Sequence, residues 1–220
     1  MATADPDALH GNNRVTALLN TTPLPSPGPT VSVAAGGSCA PSGRQGTIAL
    51  ALDEDGARAG GLSLSVTSSN HDLVPTRDLT FGGSGTDRTL TVRPVPGRTG
   101  TAVVTVNGLS DGQFTGSTAV TVRVGANGAN RLMGDNGADM LFGQNGADTL
   151  SGAGGNDLLC GGNGADNLSG GEGDDSLDGG RGSDRLAGGP GADRFAGGPG
   201  KDRAGDFNPA VGDTQDGTVP

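Results

Sequence analysis

The sequence of 220 residues predicts an all-β protein, in which an antiparallel β-sandwich over residues 30–124 precedes a parallel coil of short strands over residues 125–205. Apolar and polar residues alternate with a period of two in the first of these segments, which is typical of strands with one buried face. From Gly125 onward the sequence repeats every nine residues without an insertion. With 44 glycines, no Trp and no Tyr, any hydrophobic core must be thin and built mainly from aliphatic residues.

Residues 1–29 are polar and end in TTPLPSPGP, which is typical of an extended linker. Between residues 30 and 124 the alternation is clearest at Ile48, Leu50 and Leu52, and the segment predicts about six or seven short strands. The stretch LSVTSSNHDLVPTRDLTFGGSGTDRTLTVRPVPGRTGTAVVTVNGLSDG resembles bacterial immunoglobulin-like or cadherin-like modules of surface proteins. Cadherin calcium motifs are missing from it, so we predict no calcium ligands in this half.

The nine copies over residues 125–205 share a simple pattern. Glycine fills the first and fourth positions of every copy, and the eighth position is Leu in seven copies, then Phe195 and Ala204. The residues at the sixth position are Asn130, Asp139, Asp148, Asp157, Asp166, Asp175, Asp184, Asp193 and Asp202.

Nine residues are too few to close a turn of a two-sheet coil, whereas two copies suffice. Copy i then stacks on copy i+2 at about 4.8 Å, and carboxylates at that spacing repel one another unless a cation lies between them. Calcium accepts six to eight oxygen ligands in flexible geometry, whereas zinc prefers nitrogen or sulfur. We therefore predict about seven calcium ions. Their ligands are the sixth-position side chains, with Asn130 the weakest, and the backbone carbonyls of Gly134, Gly143, Gly152, Gly161, Gly170, Gly179 and Gly188.

The array matches the Gly-Gly-x-Gly-x-Asp-x-U-x pattern and resembles the RTX, or hemolysin-type, calcium-binding repeats. This resemblance implies a parallel β-roll of nine nonapeptide repeats, with calcium between its turns. Glycine-rich segments are also typical of disordered linkers. A linker, however, has no reason to keep leucine at every ninth residue.

Three features at the ends and faces of the array complete the prediction. Residues 206–220 contain Phe207 and could cover the open end of the roll.

The outward positions of copies two and four are apolar, which predicts that this face packs against the sandwich or a partner molecule. Cys39 and Cys160 form neither a disulfide framework nor a metal-ligand spacing, and an intermolecular disulfide through Cys160 stays open. The outward residues are Met140, Phe142, Leu158 and Cys160.

The net charge of the chain and its sequence motifs limit the classes of function it can have. A net charge of −10 argues against nucleic acid as a partner, and the chain lacks an apolar run long enough for a membrane span. The segment from Gly108 to Gly112 fits Gly-x-Ser-x-Gly but lacks the strand-to-helix context of a hydrolase nucleophile. His10 and His71 are isolated, so we identify no catalytic residues.

The sequence therefore predicts an extracellular, non-enzymatic calcium-binding protein. Its β-roll would fold on binding Ca²⁺ and act as a structural or adhesive module, with a cell-surface or matrix partner left open. An alternative is the accessory C-terminal region of a secreted enzyme or toxin whose catalytic part is not on this chain.

Overall fold

A computed structural model describes residues 30–53, 62–110 and 113–219 of the chain. The linker predicted over residues 1–29 lies outside the described residues. The described part is built from strands, with one short 3-10 helix at Thr76–Asp78. The predicted all-β class is confirmed, with antiparallel sheets in the N-terminal half and a parallel solenoid in the repeats.

Seven strands precede the repeats. The first four-stranded sheet has the order β1-β2-β5-β4, and a second antiparallel set runs β3-β6-β7. In β2 the predicted alternation is observed, since Ile48, Leu50 and Leu52 are buried while Ala51 is exposed. The strands are β1 (Thr30–Cys39), β2 (Gly46–Asp53), β3 (Leu62–Ser68), β4 (Leu79–Ser84), β5 (Asp87–Val92), β6 (Gly100–Ser110) and β7 (Gln113–Val124).

Each repeat contributes one strand, and successive repeats alternate between two parallel sheets. Odd copies form the five-stranded sheet β16-β14-β12-β10-β8, and even copies form the other wall of the roll. The register joins equivalent residues of copies i and i+2, as in the pairing of Leu150 with Leu168. The predicted stacking is therefore confirmed. The strands are β8 (Arg131–Met133), β9 (Asp139–Asn145), β10 (Thr149–Gly154), β11 (Leu158–Asn163), β12 (Asn167–Glu172), β13 (Ser176–Arg181), β14 (Arg185–Ala187), β15 (Arg194–Ala196) and β16 (Arg203–Ala204).

The sheet of the even copies continues into the sandwich. Strand β7 pairs in parallel with β9, which gives one eight-stranded sheet that starts at β3 and ends at β17 (Thr214–Gln215). The sequence predicts a sandwich followed by a roll but does not predict a shared sheet. This junction removes two exposed edges at once, because an unpaired β7 and an unpaired β9 would each leave backbone donors and acceptors open to other chains.

The two faces of the shared sheet serve two different cores. The eighth-position residues, such as Leu141 and Leu159, point into the roll and pack there with Phe195. The predicted outward apolar residues Met140, Phe142, Leu158 and Cys160 are at most 1% exposed and belong to the core of the sandwich. The prediction that this face packs against the sandwich is confirmed.

The two cysteines form a disulfide between the sandwich and the roll. Cys39 at the end of β1 is bonded to Cys160 in β11, with their Cα atoms 5.9 Å apart and a sequence separation of 121. The statement that Cys39 and Cys160 form no disulfide framework is therefore wrong, and the intermolecular bond left open for Cys160 is replaced by a bond within the chain. Packing of β1 against the outward face of β11 brings the two side chains together, and no sequence spacing could reveal that contact.

The C-terminal segment lies against the open end of the roll. Strand β17 extends the even sheet beyond β15. Phe207 meets Phe195 edge to face, with ring centroids 6.0 Å apart, and Val219 is buried in the roll core. These contacts shield Phe195 and the end of the roll core from water.

Two further sequence features have defined positions. Gly108 and Ser110 belong to strand β6, which pairs antiparallel with the following β7, while Asp111 and Gly112 lie outside the described residues. His71 is exposed in a turn, and His10 lies outside the described residues. In the described part of the chain, no helix is long and apolar enough to cross a membrane.

Candidate metal centre

The aspartates of the repeats form two buried columns, one for the odd copies and one for the even copies. Where a repeat aspartate follows 18 residues later, the backbone N–H of the earlier one donates to Oδ1 of the later one, as from Asp139 to Asp157 at 2.8 Å and from Asp157 to Asp175 at 2.9 Å. The same bond recurs from Asp148 to Asp166, and through every later pair up to Asp184 and Asp202. The nine-residue register thus places the carboxylates in line.

The second oxygen of these carboxylates has no hydrogen-bond partner. A buried polar atom without a partner costs free energy, and the cost is larger for a charged group. Such atoms are uncommon in native proteins, and a run of equivalent ones therefore indicates a ligand. Within the described residues, seven repeat carboxylates bury an unpartnered Oδ2, namely those of Asp148, Asp157, Asp166, Asp175, Asp184, Asp193 and Asp202.

The first glycine of each copy keeps space for this oxygen. A Cβ atom on Gly161 would lie 2.5 Å from Asp166 Oδ2 and 2.6 Å from the carbonyl oxygen of Gly179, which is closer than real Cβ contacts. A carboxylate oxygen and a backbone carbonyl oxygen therefore converge at the place where any other residue would put its side chain. The same arrangement brings in the carbonyls of Gly152, Gly161, Gly170 and Gly188. The carbonyl of Gly143 lies beside the Asn130 side chain instead, and Gly134 has no copy two positions before it.

Burial makes these carboxylates difficult to ionise without a cation. Desolvation raises the pKa of Asp157 to about 8 and that of Asp175 to about 7, and the facing carboxylates of the same column add to the shift. The pKa values of Asp166 and Asp193 rise to about 6 for the same two reasons. Burial also raises the pKa of Asp184. Divalent cations bound along each column would favour the charged forms of these carboxylates.

The donor set indicates the kind of cation. Among the residues that the structure describes, no three His, Cys, Asp or Glu side chains converge on one point. The oxygens that converge at these positions are an aspartate Oδ2 and a backbone carbonyl oxygen of the copy two positions later. This all-oxygen set fits a hard cation with a flexible ligand shell, such as calcium, and does not fit zinc.

Two predicted ligands at the N-terminal end have other partners. Oδ1 of Asp139 accepts a hydrogen bond from Arg123 Nη1 at 2.5 Å, and its Oδ2 accepts the N–H of Asp135 at 2.9 Å. The Asn130 amide donates to Asp148 Oδ1 at 3.1 Å, and its oxygen accepts the N–H of Ala126 at 3.0 Å. Both side chains therefore differ from the unpartnered aspartates further along the columns.

Sequence reasoning missed two charged residues that extend the even column. Arg123 lies in β7, outside the repeats, and only the shared sheet brings it to Asp139. Asp213 is buried, and its Oδ1 accepts the N–H of Asp193 at 2.9 Å, just as a repeat aspartate would. The spacing here is 20 residues instead of 18, so the period conceals it. The sequence signal that could have revealed Asp213 is an aspartate in the tail that is followed directly by the short polar strand Thr214–Gln215.

The fold and the aspartate columns define a class of protein: a parallel β-roll whose turns hold buried, unpaired carboxylates in register. Comparison with family models agrees with this class. The model for the RTX calcium-binding nonapeptide repeat (4 copies) matches residues 124–159, 161–195 and 169–204. The repeat array over residues 124–204 consists of RTX calcium-binding repeats, and repeats of this family bind Ca²⁺. No curated protein and no solved structure gives a significant match to the chain.

Proposed function

We propose that this chain is an extracellular, non-catalytic protein whose β-roll folds on binding calcium and serves as a structural or adhesive module. One observation carries the proposal, namely the seven buried Oδ2 atoms without a partner. Without a cation, burial of so many carboxylates opposes folding, so the free energy of calcium binding becomes free energy of folding. About seven ions would satisfy the columns.

The disulfide supports the extracellular part of the proposal. Disulfides persist in oxidising environments and are rare in the cytosol. RTX repeats are also typical of secreted proteins. Calcium sites of extracellular modules have dissociation constants of roughly 10⁻⁴ to 10⁻³ M, so such a roll would be filled outside the cell and empty inside it.

Unbroken packing between sandwich and roll supports a structural or adhesive role. The sandwich core includes four roll residues, among them Phe142 and Leu158, so rigidity gained by the roll on binding calcium is passed directly to the sandwich. In such a module, calcium would set the stiffness of the whole chain. A flexible chain would become a continuous β structure that can hold a partner or a neighbouring domain in place.

A calcium titration of the full chain tests the proposal. Isothermal titration calorimetry and far-UV circular dichroism should show calcium binding together with a gain of strand structure, and magnesium at the same concentration should produce neither. Asp157→Asn should weaken calcium binding, whereas Asp72→Asn, the same change at an exposed residue of the sandwich, should not. Equal strand content with calcium and after its removal would contradict calcium-coupled folding.

A further inference from the structure

The first aspartate of the even column breaks the hydrogen-bond pattern of the others. In the later repeat aspartates, Oδ1 accepts the N–H of the residue 18 positions earlier, and Oδ2 has no partner. In Asp139, Oδ1 accepts a hydrogen bond from Arg123 and Oδ2 accepts one from the Asp135 N–H, so both oxygens have a partner. Neither oxygen of this carboxylate is therefore left without a hydrogen-bond donor.

The shared sheet places Arg123 at this position. Strand β7 precedes β9 in the column, with Thr121 paired to Asp139, so β7 stands where an earlier repeat would stand. The Asp139 side chain is fully buried. The Arg123 side chain is 22% exposed, and its guanidinium also reaches Asp135 Oδ2 at 3.3 Å. A guanidinium is charged at all physiological pH values and offers several donors in a fixed plane. It therefore supplies the positive charge that the other carboxylates lack.

In the first copy of the odd column, the amide of Asn130 is likewise hydrogen-bonded to the oxygen atoms around it. The Asn130 amide nitrogen donates to the carbonyl oxygens of Ala126, at 2.7 Å, and of Gly128, and also to Asp148 Oδ1 at 3.1 Å. Because the Ala126 N–H needs the amide oxygen as its acceptor, the nitrogen must face the carbonyls. Three oxygens converge on this nitrogen. An –NH₂ group thus stands among the carbonyl and carboxylate oxygens that a cation would need.

We propose that Arg123 and Asn130 are resident nitrogen donors that hold the two N-terminal cation positions of the roll, so that calcium binding begins with Asp148 in the odd column and Asp157 in the even column. This inference rests on the proposed function. Its consequence is that the end of the roll next to the sandwich is ordered without metal. Strands β7, β8 and β9 then form a template on which calcium adds the later turns.

Matched substitutions in the full chain test the inference. Asn130→Asp replaces the amide with a carboxylate and should add one calcium ion to the number measured by isothermal titration calorimetry or equilibrium dialysis. Asn167→Asp, the same change at an exposed residue of β12, should leave the number unchanged. If both variants bind the same number of ions as the parent, the assignment of Asn130 is overturned.

Arg123→Gln removes the guanidinium and should add one ion at Asp139. In metal-free buffer it should also speed amide hydrogen exchange in β9. Arg185→Gln, at an exposed arginine of β14, should do neither, and Arg123→Lys should keep the ion count of the parent. Equal ion counts and equal exchange in Arg123→Gln and the parent would overturn the assignment of Arg123.

The same titrations separate the two proposals. A parent chain that binds no calcium refutes the proposed function, whereas a parent that binds calcium with counts unaffected by both substitutions refutes only this inference. Should Arg123→Gln fail to fold, Asn130→Asp still decides the assignment of Asn130, because it preserves the junction. Arg123→Lys preserves the charge, and it would overturn the assignment of Arg123 if it bound more ions than the parent.

Discussion

Replacing Phe142 with alanine should destabilise the sandwich, although Phe142 belongs to a repeat. Its side chain is fully buried in the sandwich core, and a Cβ atom on Gly46, the first residue of β2, would lie 3.1 Å from its ring. A buried Phe removes about 200 Å² from water, worth ~5 kcal/mol at about 25 cal/mol per Å², and Phe→Ala changes in cores cost about 3–5 kcal/mol. We expect a loss of that size in the calcium-loaded protein, measured by urea unfolding.

Phe195→Ala is the matched control. Phe195 is equally buried and lies in the same sheet, but it points into the roll and meets Phe207. Hydrogen exchange with calcium bound should show faster exchange in β2 for Phe142→Ala than for Phe195→Ala, at a similar loss of overall stability. If the amides of β2 exchanged equally in both variants, the sandwich core would not depend on the roll and the shared-core reasoning would be refuted.

Three further outcomes are expected. Asp166→Asn should reduce the cooperativity of calcium binding and the Tm of the calcium-loaded protein more than Asp202→Asn does. The reason is that Asp166 has repeat carboxylates on both sides, whereas Asp202 has one on only one side. Equal effects of the two variants in calorimetry would argue for independent sites. The folded-state pKa of Asp157 is raised from 3.8 to about 8, so the metal-free roll binds more protons than the unfolded chain and should lose stability as pH rises through that range. Circular dichroism in metal-stripped buffer should then show less strand at pH 8 than at pH 5, and the opposite order would contradict the burial of Asp157 as a neutral acid. Replacing Cys39 and Cys160 with serine opens a loop of 121 residues and should lower the free energy of unfolding by about 4–5 kcal/mol. This loss should be measured as a lower Tm of the calcium-loaded protein. Labelling of thiols in the denatured parent without a reductant would show instead that no disulfide forms.

Much of the candidate site could be predicted from the repeat period. Nine residues are too few to close a turn, so two copies are needed for each turn, and this places Asp148 under Asp166 in the same column. The apolar outward residues of copies two and four likewise predicted a covered face, since Phe142 and Leu158 would otherwise be exposed on a solvated sheet. These predictions depend only on local periodicity, which a sequence states directly.

The sequence by itself determined the all-β class, the register of the repeats and the residues of the aspartate columns, because each of these follows from contacts repeated at a constant spacing. Only the tertiary structure decided how the ends of the columns are closed. Arg123 reaches Asp139 through a sheet shared by two segments with different periods, Asp213 enters the even column after an irregular spacing, and Cys39 meets Cys160 across 121 residues. Such contacts depend on how whole sheets pack and on where loops return the chain, and neither leaves a period in the sequence.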